Sequence, residues 1–152
     1  MKMEWFPHVT VATVIERDGK FLLVHELDKF QQKMVYNQPA GHWEKDETIV
    51  AAAIRETLEE TAWRVKSDSW LGLYTYTAPA NSVTYLRVAF VANLVENMNT
   101  QLDEGIQAAV WMDYETLLLK EAAGELRSPL VKQVIDDYRS GRRLPLNSIY
   151  EH

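Results

Sequence analysis

Residues 41–63 read GHWEKDETIVAAAIRETLEETAW. Thr48 is a good N-cap and Ala51-Ala52-Ala53 a strong helix-forming run, so the stretch predicts a helix from Thr48 to about Thr61. With Glu56 set to zero on a helical wheel, Glu59 falls at about −60° and Glu60 at about +40°. Three carboxylates thus share one wedge about 100° wide, and the pattern assigns the opposite side (Val50, Ala51, Ile54, Leu58) to packing. Like charges at i, i+4 destabilise a helix by roughly 0.2–0.5 kcal/mol. Glu56 and Glu60 have that spacing, and Glu59 crowds both. A divalent cation reverses the sign of this interaction. Mg2+ or Mn2+ takes oxygen ligands, uses few protein carboxylates, and leaves positions for substrate phosphates. Such an ion neutralises phosphate charge and helps generate a hydroxide nucleophile. A solvated acidic face is the ordinary alternative for a charge run. Two neighbours favour a site: Pro39 and Gly41, where the chain turns back before the helix, and the opposite-charge pair Glu47 and Arg55, able to hold that turn.

Outward from this helix, Val9 to Glu16 reads as a strand, Asp18-Gly19 as a hairpin turn, and Lys20 to Glu26 as the returning strand. Leu27 to about Lys33 reads as a polar loop, and Tyr36 to Gly41 as irregular backbone. Trp70 to Thr77, Val83 to Val95 and Gln107 to Met112 are strand-like, and Tyr114 to Ala123 helical. The last helix has Ser128 as N-cap, Pro129 at its first position and Gly141 past its end, with Leu130, Val131, Val134, Ile135 and Tyr138 on its apolar side. Strands mixed with three helices predict an α/β fold, a sheet covered by helices on both faces, built as a single domain over 1–152.

The bulk properties bound the function. The 152 residues are 47% hydrophobic and 25% charged, an ordinary globular balance. No run of about 18 apolar residues is present, so no membrane partner is implied, and Met1 to Pro7 lacks the apolar stretch of a secretory signal. The absence of cysteine excludes disulfides and thiolate metal sites and fits a cytoplasmic location. The net charge of −6 repels long polyanions, so polymeric nucleic acid is not the expected partner. A small phosphorylated substrate is, once a divalent cation screens it. Monomer and homodimer are equally compatible, and Glu151 and His152 receive no functional role.

At this point the residues resemble the Nudix (MutT-like) hydrolase family. Its box is a Gly, five residues, a Glu, seven residues, Arg-Glu, an aliphatic, any residue, Glu-Glu, any residue, Gly and an aliphatic. Gly41, Glu47, Arg55, Glu56, Glu59 and Glu60 stand at that spacing, within residues 41–63. Thr57, Ala62 and Trp63 depart from the pattern, and Ala62 costs roughly 1 kcal/mol if the helix end is left-handed. The resemblance implies the Nudix-type α/β/α sandwich with a mixed sheet between helices. It implies Mg2+ or Mn2+ on Glu56, Glu59 and Glu60 with the Gly41 carbonyl, Arg55 orienting the glutamates, and Glu47 supporting Arg55. It also implies hydrolysis of a diphosphate linked to another group by water attack on phosphorus. Glu60 is the base candidate within the box, and Asp103 and Glu104 are the distal candidates. Pro7 to Ala12, Asn37 to His42, Leu126 to Val131 and the ending around Tyr138, Gly141, Arg143, Pro145 and Leu146 resemble the NudJ subgroup. That likeness implies nucleoside di- and triphosphates and hydroxymethylpyrimidine or thiamine pyrophosphate as substrates, with phosphate released more than pyrophosphate.

Other residues carry two readings each. His42 contacts a phosphate or makes a structural hydrogen bond, and Trp43 packs. Tyr74 and Tyr76 share a strand face and either stack on a pyrimidine base or belong to the core. Arg87, mid-strand, needs a phosphate or a carboxylate as partner if buried. Arg127, Arg142 and Arg143 read as solvent charges, and His8 and His25 as structural. Three alternatives stand beside this reading: a module that binds nucleotide without cleaving it, an ADP-ribose or dinucleotide pyrophosphatase, and a decapping or isomerase relative. The complete set of carboxylates favours the hydrolase.

Overall fold

The computed structural model describes residues 3–152. The elements run β1 His8–Val14, β2 Glu16–Arg17, β3 Lys20–Asp28, β4 Lys33–Asn37, β5 Ala40–His42, α1 Ile49–Thr61, β6 Trp63–Thr77, β7 Thr84–Asn97, β8 Ile106–Asp113, α2 Tyr114–Ala122 and α3 Pro129–Arg139. A short 3-10 turn follows at Leu146–Ser148. Among the described residues there are two sheets, where the sequence pattern predicts one. The first has order β5-β1-β7-β6 and is mixed: β1 runs parallel to β7, and the other pairs are antiparallel. The second is antiparallel, with β3 between β4 and β8 and the β2 hairpin at its end. Asp18 and Gly19 both have positive φ, as a type I′ turn requires.

Alternation along β7 explains how helices cover the mixed sheet. Val88 and Phe90 pack with Val11 against Ala52 and Ala53 of α1. Ala89 and Val91 pack with Leu71 against Val131, Val134 and Ile135 of α3, joined by Leu117 of α2. The observed architecture is therefore the predicted α/β fold with its sheet divided.

Three local readings need correction. Lys33–Asn37 and Ala40–His42 are strands, interrupted only at Gln38-Pro39, because Val35 turns into the core and β5 adds three residues to the edge of β1. β6 begins at Trp63, seven residues before its predicted start. It is an edge strand with polar outward positions such as Lys66 and Asp68 and three register shifts, which dilute the alternation. The packed face of α1 is also turned toward the carboxylates: Ala52, Ala53, Thr57, Glu60 and Thr61 are buried, and Ala51 is exposed. Small side chains permit this close approach. Thr57 Oγ1 donates to Ala53 O at 2.8 Å and meets Thr13 Oγ1 at 3.1 Å, so its buried hydroxyl is satisfied. Glu56 and Glu60 consequently point into the fold. Ala62 caps the helix in the left-handed conformation, φ 64°, and its N–H donates to Leu58 O at 2.9 Å.

Candidate active site

Arg55 ties the turn before α1 to the helix. Its Nε and Nη2 donate to Glu47 Oε2 at 2.9 Å and Oε1 at 2.8 Å, a two-pronged pairing that also holds the Glu47 carboxyl below its ordinary pKa. Nη2 reaches His42 O at 3.1 Å, and Nη1 donates to Glu56 Oε1 at 2.9 Å and Glu59 Oε2 at 3.2 Å. The guanidinium thereby fixes both glutamates against the end of β5.

Glu56 lies over Gly41. A Cβ at Gly41 would overlap the Glu56 carboxyl group, so the glycine is a steric requirement of this cradle. Burial pushes the Glu56 carboxyl up to about 6, against the pull of Arg55. Oxygen atoms of Glu56, Glu59 and Asp103 all lie within 4.8 Å of one another. Asp103 is carried there by the backbone, since its N–H donates to Glu59 O at 3.0 Å. Glu60, placed with Glu56 and Glu59 by the helical wheel, sits deeper. Its Oε1 accepts from Ala40 N at 2.8 Å, and burial, then the nearby Glu26, push its carboxyl up to about 9. Glu104 and Asp103 line a shallow recess with Glu60. An all-oxygen trio beside a cradle free of side chain fits a hard divalent cation.

A cavity of about 310 Å³ adjoins Gly41 and His42. Arg87, a buried side chain, lines it and donates to Gln38 Oε1 at 2.9 Å and Asn37 Oδ1 at 3.1 Å. Its partners are amide oxygens, where the sequence offered a phosphate or a carboxylate. Burial lowers its pKa to about 10. Gln38 in turn donates to Val131 O at 2.8 Å. Tyr76 lines the cavity. Tyr74 does not: it is packed in the core, and its hydroxyl donates to Asp137 Oδ2 at 2.7 Å. His42 lines the cavity with its ring nitrogen 3.1 Å from that of His8, and partial burial, then His8, lower its pKa. Trp43 is half-exposed and donates to Glu47 O at 2.8 Å.

Sequence reasoning missed Arg127, Glu26 and Asn37. Arg127 is not a free solvent charge: Nη1 meets Glu26 Oε1 at 3.1 Å and Nε lies 3.7 Å from Asp28 Oδ2. Its backbone N–H donates to Tyr36 O at 2.8 Å, which sets the start of α3 beside the cavity. Asn37 donates to the same Glu26 oxygen at 3.2 Å. Burial raises the Glu26 pKa, and Arg127 opposes it. Only the three-dimensional crossing of β3, β4 and α3 brings these residues together.

A family model described as the NUDIX domain matches residues 6–134. The chain belongs to the Nudix family. Phosphatase NudJ of Escherichia coli is 42% identical over 144 residues, covering 94% of this chain and 90% of that protein, and the Shigella flexneri phosphatase NudJ matches to the same degree. A Nudix hydrolase of Nitrosomonas europaea superposes with a TM-score of 0.91 at 40% identity, covering 97% of this chain and 98% of that one. The Nudix domain of Shewanella oneidensis NrtR, solved with ADP ribose, shares the fold at a TM-score of 0.71 and 16% identity, covering 91% and 90%. The chain is a Nudix phosphohydrolase related to the NudJ phosphatases, and Nudix hydrolases generally use divalent metals.

Proposed function

We propose that this Nudix phosphohydrolase cleaves a phosphoanhydride of small organic di- and triphosphates. The class comprises nucleoside di- and triphosphates and hydroxymethylpyrimidine or thiamine pyrophosphate, with Mg2+ or Mn2+. The observation that carries the reading is the Glu56, Glu59 and Asp103 cluster beside Gly41, a residue that also lines the cavity holding Arg87. Glu56, Glu59 and Asp103 would hold the cation, with the Gly41 carbonyl completing the cradle and Glu60 close behind. A bound divalent ion neutralises phosphate charge and acidifies the attacking water.

The chain's own groups do the rest. Arg55 orients Glu56 and Glu59, and Glu47 orients Arg55. Glu60 Oε1 is held by the Ala40 N–H, which leaves its other oxygen to take the proton of the attacking water once a nearby cation favours the ionised carboxyl. Asp103 is the nearest distal acid, and Glu104 is exposed beside it. Arg87 supplies buried positive charge to the bound substrate, and His42 and Tyr76 line the cavity that receives its organic group. A buried arginine within an acidic protein suits a small phosphorylated substrate and disfavours a polymer.

The test is release of phosphate and pyrophosphate, with magnesium, from a panel of nucleoside di- and triphosphates, thiamine pyrophosphate, ADP-ribose and dinucleotide polyphosphates. Turnover of nucleotides or pyrimidine pyrophosphates with phosphate as product is expected. Turnover confined to ADP-ribose or dinucleotides would overturn the substrate class.

A further inference from the structure

The cavity and the shallow recess meet at three residues, Glu26, Phe30 and Arg127, each of which lines both. The recess beyond them holds Glu60, Asp103 and Glu104. Glu26 and Arg127 are paired with each other. Phe30 is not accounted for in this way. The residue is 66% exposed, on the turn between β3 and β4, where local geometry asks for no aromatic residue. An apolar side chain of this size left in water forgoes about 1.5–3 kcal/mol of burial. The turn keeps its shape without the ring. The buried Asp28 accepts from Phe30 N at 3.0 Å and Gln31 N at 3.1 Å through Oδ1, and Gln32 closes the turn with φ 53°. A buried carboxylate thus holds an exposed ring at the boundary between the acidic recess and the cavity.

We propose that Phe30 is a specificity-determining residue whose face stacks on the heteroaromatic ring of the substrate's organic group. This rests on the phosphohydrolase reading: a ligand with phosphates at the carboxylates and its organic group in the cavity passes Phe30. The cavity's volume is that of a small-molecule site. Its lining sets apolar Pro79 and Leu130 beside the amides of Asn37 and Asn81, which suits a flat ring with polar edges better than an aliphatic chain. Of the other aromatic residues of the cavity, Tyr85 is held by Asn81 Nδ2 at 3.0 Å and packs T-shaped with His8, and Tyr76 and His42 line the cavity away from the recess; Phe30 is the aromatic side chain that borders both. Phe30 offers the open face.

Stacking of a base on an aromatic side chain contributes about 1–3 kcal/mol, or roughly 5- to 150-fold in affinity. Two non-hydrolysable probes separate the ring from the phosphates: the α,β-methylene analogue of cytidine diphosphate, and methylenediphosphonate, which has no ring. Equilibrium dialysis with magnesium is run on the wild-type chain, Phe30→Ala and Phe30→Trp. The expected result is weaker binding of the cytidine probe to Phe30→Ala by roughly 5- to 150-fold, near wild-type binding to Phe30→Trp, and unchanged binding of methylenediphosphonate. Wild-type affinity of Phe30→Ala for the cytidine probe, equal weakening of both probes, or no binding of the cytidine probe to the wild-type chain would overturn the proposal. The hydrolysis panel separates the two readings. If no substrate is cleaved while cytidine binding still depends on Phe30, the functional reading fails and this one stands. Because Phe30 is exposed, thermal melts of both variants are expected to match the wild-type chain.

Discussion

Gly41→Ala isolates the geometry of the cluster from the stability of the fold. Gly41 is not among the glycines with positive φ, so its backbone admits alanine without strain. The atoms nearest to the added methyl are the far end of one flexible side chain, the Glu56 carboxyl. To restore ordinary contact the carboxyl must move by on the order of 1 Å. That movement breaks the 2.9 Å bond from Arg55 Nη1, while Glu47 and Glu59 remain on the guanidinium. A hydrogen bond between charged groups contributes roughly 1.5–3 kcal/mol when well buried, and this one is partly exposed, so a loss of about 1–2 kcal/mol is expected. That corresponds to about 2–8 °C in Tm for a chain of this size. The cost to chemistry is larger, because a misplacement of about 1 Å in a reacting constellation lowers rate by on the order of 100-fold, about 2.7 kcal/mol of barrier. Phosphate release and a thermal melt on the same sample read both. A folded Gly41→Ala chain retaining activity within about threefold, some 0.65 kcal/mol, would refute the reasoning.

Three further outcomes follow from the same geometry. Arg55→Lys keeps the charge but loses the fork to Glu47 and the reach to Glu56 and Glu59, so activity should fall by roughly 10- to 100-fold with divalent affinity falling alongside, read by metal titration of turnover. Without metal, the raised pKa of Glu60 makes the folded state bind the extra proton, so stability contributed at low pH is lost as pH rises from about 4.5 toward about 9. A cation favours the ionised carboxyl, so the Tm increase produced by magnesium should be larger at pH 8 than at pH 5.5, and an increase independent of pH would contradict this. Tyr74→Phe should cost about 1 kcal/mol through the lost bond to Asp137 and leave KM unchanged, whereas a raised KM would return Tyr74 to the substrate's surroundings.

The legible part of the fold was local. Thr48 and Ser128 cap their helices as their side chains dictate, and Asp18-Gly19 turns as its φ values demand. Arg55 finds Glu47 because both lie within one short segment. The illegible part depended on crossings distant in sequence. The wheel showed that Glu56, Glu59 and Glu60 share a wedge, but not that small residues would let the wedge face the sheet. Asp103 could be listed as an acid before a strand, yet its place beside Glu59 rests on a backbone hydrogen bond between segments far apart in the chain. Arg127 looked like surface charge because nothing nearby in sequence announces Glu26 or Asp28. Phe30 falls in a stretch whose sequence reads as a polar loop, and its place between the cavity and the recess depends on the fold.

The central claim, hydrolysis that depends on a divalent cation held by the cluster around Glu56 and Glu59, is tested most directly by phosphate release from a nucleoside triphosphate. The wild-type chain and Glu59→Gln are assayed first in excess EDTA and then with magnesium or manganese added back. The expected result is no turnover of either chain in chelator, recovery of the wild-type chain on adding metal, and little recovery of a folded Glu59→Gln chain. Full wild-type turnover in chelator, or equal recovery of both chains, would contradict the account.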